Sequence, residues 1–219
     1  MMRTRYRYLV PVYAWCALLL GGFVVVASGV ASAQQESAPS ASANVAPNDG
    51  RIYLSADDLK AAEIAHLLPV NVKSLLDQGA MEYGQFAWDE ADVPDGTVEV
   101  WVDLRRQTVS AFRGGHEIGT AVILYGKPGK ETPLGTFPIL RKVADYHSRT
   151  YDAPMPHSLF ITNDGVALHG SDVRYGRATH GCIGLPPEFA ELLFGAVDKG
   201  TRVSVVYSDA GATAKLAAN

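Results

Sequence analysis

From Val98 onward apolar and polar residues take turns. Val98, Val100, Val102 and Leu104 alternate with Glu99, Trp101 and Asp103, the period of a strand with one face buried. Thr108 to Arg113 predicts a second strand and His116 to Leu124 a third, rich in Ile and Val. Gly114-Gly115 between them fits a two-residue hairpin turn. A polar loop then runs from Gly126 to Gly135, and Phe137 to Val143 resumes as strand. Asn163-Asp164-Gly165 reads as a turn between Ser158–Thr162 and Val166–His169. Pro186-Pro187 opens a helix, since proline suits the first helical position. Phe189, Leu192, Leu193 and Val197 form its apolar face, Gly200 ends it, and Thr201 to Tyr207 alternates once more. The succession predicts an all-β domain at residues 97–207, a sandwich or barrel with one short C-terminal helix.

The pattern upstream is different. Ser55 suits a helix cap, Asp57 and Asp58 a first turn, and Leu59, Ala62 and Ala65 a buried stripe. Pro69 is expected to end this helix, and Asn71 to cap a second short one through Val72, Leu75 and Leu76. His66 falls on the helix surface and takes no role. Residues 77–96 read as irregular chain anchored by Met81, Tyr83, Phe86 and Trp88, so 51–96 forms a short helical and irregular segment. Residues 34–50 are a Ser/Ala/Pro/Asn-rich flexible linker, and 208–219 a small-residue tail.

Arg3, Arg5 and Arg7 precede an apolar run from Leu9 to Val30, followed by Ala31-Ser32-Ala33. That is the layout of a signal peptide, residues 1–33, cleaved after Ala33. Left uncleaved, the run approaches the length of a membrane anchor. Either way the rest of the chain is expected outside the inner membrane, in the periplasm or cell envelope. Membrane contact is expected only through this leader.

Composition adds two constraints. The net charge of −4, which becomes −7 without the three leader arginines, argues against nucleic acid as a partner. Of the two cysteines, Cys16 lies in the leader, so the mature chain carries Cys182 alone and no internal disulfide. An isolated cysteine is often just a small buried hydrophobe. The surroundings of Cys182 argue otherwise.

Residues 169–185 hold His169, His180, Cys182 and four glycines. Cysteine needs a base or positive charge nearby to react as thiolate, and glycines let backbone N–H groups approach a reacting carbonyl. His169 is read at the end of a strand. His180 and Cys182, two apart, share a face if the chain is extended. Two histidines and a cysteine could also bind zinc, but only Asp172 offers a weak fourth ligand, so no metal or other cofactor is expected. As a nucleophilic site, Cys182 would attack an amide carbonyl while one histidine takes the thiol proton and returns it to the leaving amine. The N–H groups of Gly181 and Cys182 would stabilise the oxyanion, each worth about 3 kcal/mol of barrier.

Three elements, His169-Gly170-Ser171, Thr179-His180-Gly181-Cys182-Ile183 and Thr132-Pro133-Leu134-Gly135-Thr136-Phe137, resemble the L,D-transpeptidase catalytic domain (YkuD family). The hairpin from Val102 to Gly115 resembles that domain's start. The resemblance implies an all-β cysteine acyltransferase acting on peptidoglycan stem peptides. Cys182 would take the acyl group of a donor tetrapeptide at its L-centred third residue, releasing D-alanine, and pass it to an amine of another stem. Transfer to water would make the protein an L,D-carboxypeptidase. A fold retained without turnover would make it a peptidoglycan-binding protein. Carried over, Cys182 is the nucleophile, His169 the base, and the carbonyl of Gly170 orients it. His180, with Thr179 and Gly181, falls on the oxyanion or supporting side, and Tyr151 on a substrate-side loop. Where the family often has Arg or Asn, this chain has Gly184, and Arg174 or Arg177 is the expected substitute for a lost carboxylate contact.

Overall fold

The computed structural model describes residues 50–209. The predicted leader, almost all of the linker, and the tail beyond residue 209 lie outside the described residues. In chain order the elements are β1 (Arg51–Ile52), α1 (Ala56–Ile64), β2 (Leu75–Leu76), β3 (Phe86–Trp88), β4 (Val98–Asp103), β5 (Thr108–Arg113), β6 (His116–Val122) and β7 (Gly135–Pro138). β8 (Arg141–Ser148), β9 (Ala153–Phe160), β10 (Ala167–Gly170), β11 (Ile183–Leu185), α2 (Pro187–Ala196) and β12 (Arg202–Val206) follow. The domain is mainly β, as the alternation implies.

Two sheets carry it: six strands in the order β3-β6-β5-β4-β12-β7, and four in the order β11-β10-β9-β8. Val100, Val102, Val109 and Ile118 of the larger sheet meet Leu159, Leu168 and Ile183 of the smaller, with Phe189 and Leu193 of α2 among them. All are essentially fully buried. At about 25 cal/mol per Å² of apolar area removed from water, such side chains are the main stabilising term. Gly114 and Gly115 turn the β5–β6 hairpin at φ 56° and 89°, left-handed values that glycine adopts without a Cβ penalty. Proline stands at the start of α2, as expected.

The sequence pattern and the fold part company in four places. Phe137 to Val143 is not one strand: β7 pairs with β12 in the larger sheet and β8 with β9 in the smaller, so the chain changes sheets at Ile139-Leu140. Residues 77–96 are not wholly irregular, because β3 pairs with β6 and lays the Trp88 ring over Gly119, where any Cβ would collide with it. The second short helix is absent. Asn71 has φ 63°, Lys73 N–H donates to Gly115 O at 2.7 Å, and Glu117 N–H to Ser74 O at 2.9 Å, so pairing with the hairpin outweighs local helical preference. Helix α1 itself is capped by Ser55, which accepts from Asp58 N–H. It stops at Ile64 rather than running to Pro69, and His66 is exposed at φ 56° beyond its end.

Residues 51–76 are tied to the larger sheet by polar groups as well. The Glu117 carboxylate accepts from Leu76 N–H at 2.8 Å, and Arg51 donates to the carbonyls of Glu117 and Asp89 at 2.8 and 2.9 Å. Burial pushes the Glu117 carboxyl up despite its hydrogen bonds and the nearby guanidiniums of Arg106 and Arg51.

Candidate active site

Strands β10 and β11 run parallel, with Leu168 opposite Ile183, His169 opposite Gly184 and Gly170 opposite Leu185. This pairing brings together two motifs that a loop separates in sequence. Ala167 and His169 are two apart on β10 and share a face. Cys182, one residue before β11, packs on that face against the cluster of Ala167, Phe160 and Met155. The histidine and the thiol therefore flank one surface of the smaller sheet.

His169 is buried, and its Nδ1 lies 2.9 Å from the carbonyl oxygen of Gly170. A carbonyl can only accept, so Nδ1 carries the proton and Nε2 keeps its lone pair. Burial pulls the imidazole pKa down, against a smaller upward pull from the Gly170 hydrogen bond. Burial likewise pushes the Cys182 thiol up, only partly offset by a backbone hydrogen bond from Ala167. Desolvation disfavours the charged form of each group. The pair therefore rests as thiol and neutral imidazole, not as the thiolate that the residue types alone suggested.

The loop bearing Cys182 is held from both sides. Leu124 and Gly184 exchange N–H to O bonds of 2.9 Å, Thr179 N–H donates to Tyr125 O at 2.9 Å, and Lys127 N–H to Thr179 O at 3.1 Å. The Thr179 hydroxyl donates to the carbonyl of Cys182. Gly181 has φ 113°, a value that favours glycine. The chain bends there, so His180 and Cys182 are not neighbours on one extended face. Thr132, first residue of the Thr-Pro-Leu-Gly element, is buried and its hydroxyl accepts from Gly126 N–H at 2.9 Å. A Cβ at Gly126 would run into the carbonyl oxygen of Lys130 and lie 2.7 Å from Thr132 N. Gly126→Ala is accordingly expected to cost about 2–4 kcal/mol, because backbone must move. Thermal melting measures this, and the same displacement should slow acylation of Cys182 by loosening Thr179.

Tyr151, at the tip of the β8–β9 hairpin, stacks on His180 with ring centroids 4.7 Å apart and planes 20° from parallel. Both rings are exposed. Arg174 and Arg177 both pair with Asp172, at 2.7 and 3.5 Å, on an exposed loop. Gly184 is hemmed in, since a Cβ there would lie 3.0 Å from Ser171 Cβ and 3.3 Å from Leu124 Cβ. Among the described residues no group of three or more His, Cys, Asp or Glu is placed to hold a metal ion.

The sequence reading missed the aromatic floor beside the thiol. Tyr146 and Phe160 meet edge to face at 5.0 Å, and Arg141 lies over the Phe160 ring at 4.0 Å from its centroid. No motif marks these residues. Only the order β11-β10-β9-β8 places them near Cys182.

Residues 97–205 match the family model of the L,D-transpeptidase catalytic domain, YkuD. This stretch belongs to that family. It includes both strands of the β10–β11 pair, Cys182 and the hairpin tip. L,D-transpeptidase 1 of Mycobacterium tuberculosis is 30% identical over 120 positions, covering 47% of this chain and 48% of that protein. The chain thus spans about half the length of the curated relatives it matches. Among solved structures, an L,D-transpeptidase from Stackebrandtia nassauensis is 26% identical, with a TM-score of 0.48 over 57% of this chain and 60% of that one. An L,D-transpeptidase solved in complex with imipenem is 27% identical, with a TM-score of 0.47 over 50% and 59%.

Proposed function

We propose that the chain is a peptidoglycan L,D-transpeptidase with Cys182 as nucleophile. The observation that carries this is the β10–β11 pair, which sets a buried His169 and Cys182 on one face with Nδ1 held by Gly170. Nε2 takes the thiol proton as Sγ bonds to the carbonyl carbon of the donor's L-centred third residue. The N–H groups of Gly181 and Cys182 stabilise the resulting oxyanion. The C–N bond then breaks, the proton returns from Nε2 to the leaving nitrogen, and D-alanine departs. An acceptor amine attacks the thioester, gives its proton to Nε2, and the thiol re-forms. The match of residues 97–205 to the family model supports this reading. The arginine-led apolar leader supports a periplasmic location.

Wild-type protein incubated with purified tetrapeptide-bearing wall fragments should release D-alanine and yield a cross-linked product. A carbapenem should leave its mass on the peptide that contains Cys182. D-alanine release without cross-links assigns the carboxypeptidase reaction instead. No release, with no adduct on Cys182, overturns the enzyme reading in favour of a wall-binding protein.

A further inference from the structure

Arg141, Phe160 and Ala167 form one row across the smaller sheet: Arg141 pairs with Phe160, and Phe160 with Ala167. Cys182 packs at the far end of this row, in the cluster of Phe160 and Ala167. Phe160 is buried beneath the Arg141 guanidinium, whose carbon lies 4.0 Å from the Phe160 centroid and 5.6 Å from that of Tyr146. An aromatic face fixes a guanidinium by its plane and leaves the N–H edges free, the geometry that receives a carboxylate through two parallel hydrogen bonds. Arg141 makes no ion pair among the described residues, whereas Arg174 and Arg177 both serve Asp172. Gly184 offers no side chain at all.

We infer that Arg141 is a specificity-determining residue that binds a carboxylate at the far end of the donor's third-residue side chain. This rests on the transpeptidase reading of Cys182. Length selects which carboxylate. The guanidinium sits over β9, and Cys182 lies beside β10 at the start of β11, so charge and thiol are about two strand spacings apart, roughly 10 Å. A straight side chain ending in a carboxylate six bonds from the reacting carbonyl reaches about 7 Å, at ~3.5 Å per three bonds of extended chain. The Arg–carboxylate hydrogen bond adds about 3 Å. The carboxylate of the departing D-alanine is only three bonds away and falls short. The preferred donor therefore carries, at its third residue, a long side chain that ends in a free carboxylate rather than in an amine or an amide.

The test uses two synthetic tetrapeptide donors with diaminopimelic acid at position three, one with the distal carboxylate free and one with it amidated. D-alanine release is followed for wild type, Arg141→Met and Arg141→Lys. Wild type should prefer the free acid by about 10- to 100-fold in kcat/KM, the range of a hydrogen-bonded charge. Arg141→Met should erase that preference by raising KM for the acid donor far more than for the amide donor, with little effect on kcat. Arg141→Lys should keep part of it. A thermal melt matching wild type shows that the variant is folded. Equal losses on both donors, or a preference that survives Arg141→Met, overturn the inference. If wild type turns over neither donor, the transpeptidase reading fails and this inference falls with it, whereas turnover without preference sinks the Arg141 role alone.

Discussion

Cys182→Ala is expected to abolish D-alanine release, a loss of about 10³-fold or more, while leaving the fold intact. The loss is large because the proposed acyl intermediate forms on this sulfur, and removing a nucleophile disables the steps that depend on it. The fold survives because the side chain is only half-buried at the margin of the Met155–Phe160–Ala167 cluster. The smaller side chain removes one sulfur contact rather than a core residue. Product analysis by mass spectrometry together with a thermal melt separates the two effects. Turnover that persists in this variant would refute the cysteine mechanism.

His169→Gln should cut acylation by about 10²- to 10⁴-fold, the range for removing a positioned general base. The direction of the pKa shifts adds a second signature. Burial lowers the imidazole pKa, so the base stays unprotonated to a pH below the ordinary histidine value of about 6.5. Wild-type kcat/KM should therefore hold as pH falls through that value and drop only in more acid solution. On the alkaline side the raised thiol pKa delays spontaneous ionisation, so the variant should recover activity only at high pH, where hydroxide does the work of the imidazole. Measuring acylation rate against pH for both proteins tests this. An acid limb at or above the usual histidine value would contradict the burial argument.

How far the sequence could be read depends on the range of the interactions that decide each element. Val98 to Leu104 and the Gly114-Gly115 hairpin were legible because alternation and turn chemistry act locally. Pro187 marked α2 for the same reason. Phe86-Ala87-Trp88 is too short to show a period, and it becomes a strand only because β6 offers an edge and Gly119 leaves room for the Trp88 ring. Asn71 carried a local helix signal that contacts with the hairpin outweigh. The break at Ile139-Leu140 was hidden because both flanking segments read as strand. In the site, His169 and Cys182 stood out by residue type and spacing. The resting protonation of the pair did not, since burial decides it. Arg141 and Phe160 owe their place to strand order across the sheet, which no window along the chain contains.

The burial of the thiol also bears on how the protein lasts between turnovers. Peroxides, disulfides and electrophilic metabolites attack the thiolate far faster than the thiol. A cysteine activated permanently by a cationic neighbour is always open to them. In the proposed mechanism the partly desolvated sulfur stays protonated until a carbonyl is in place and His169 accepts the proton as Sγ bonds to it. On that reading the chemistry is tied to the presence of substrate, and the resting sulfur is a poorer target for oxidants than a thiolate would be.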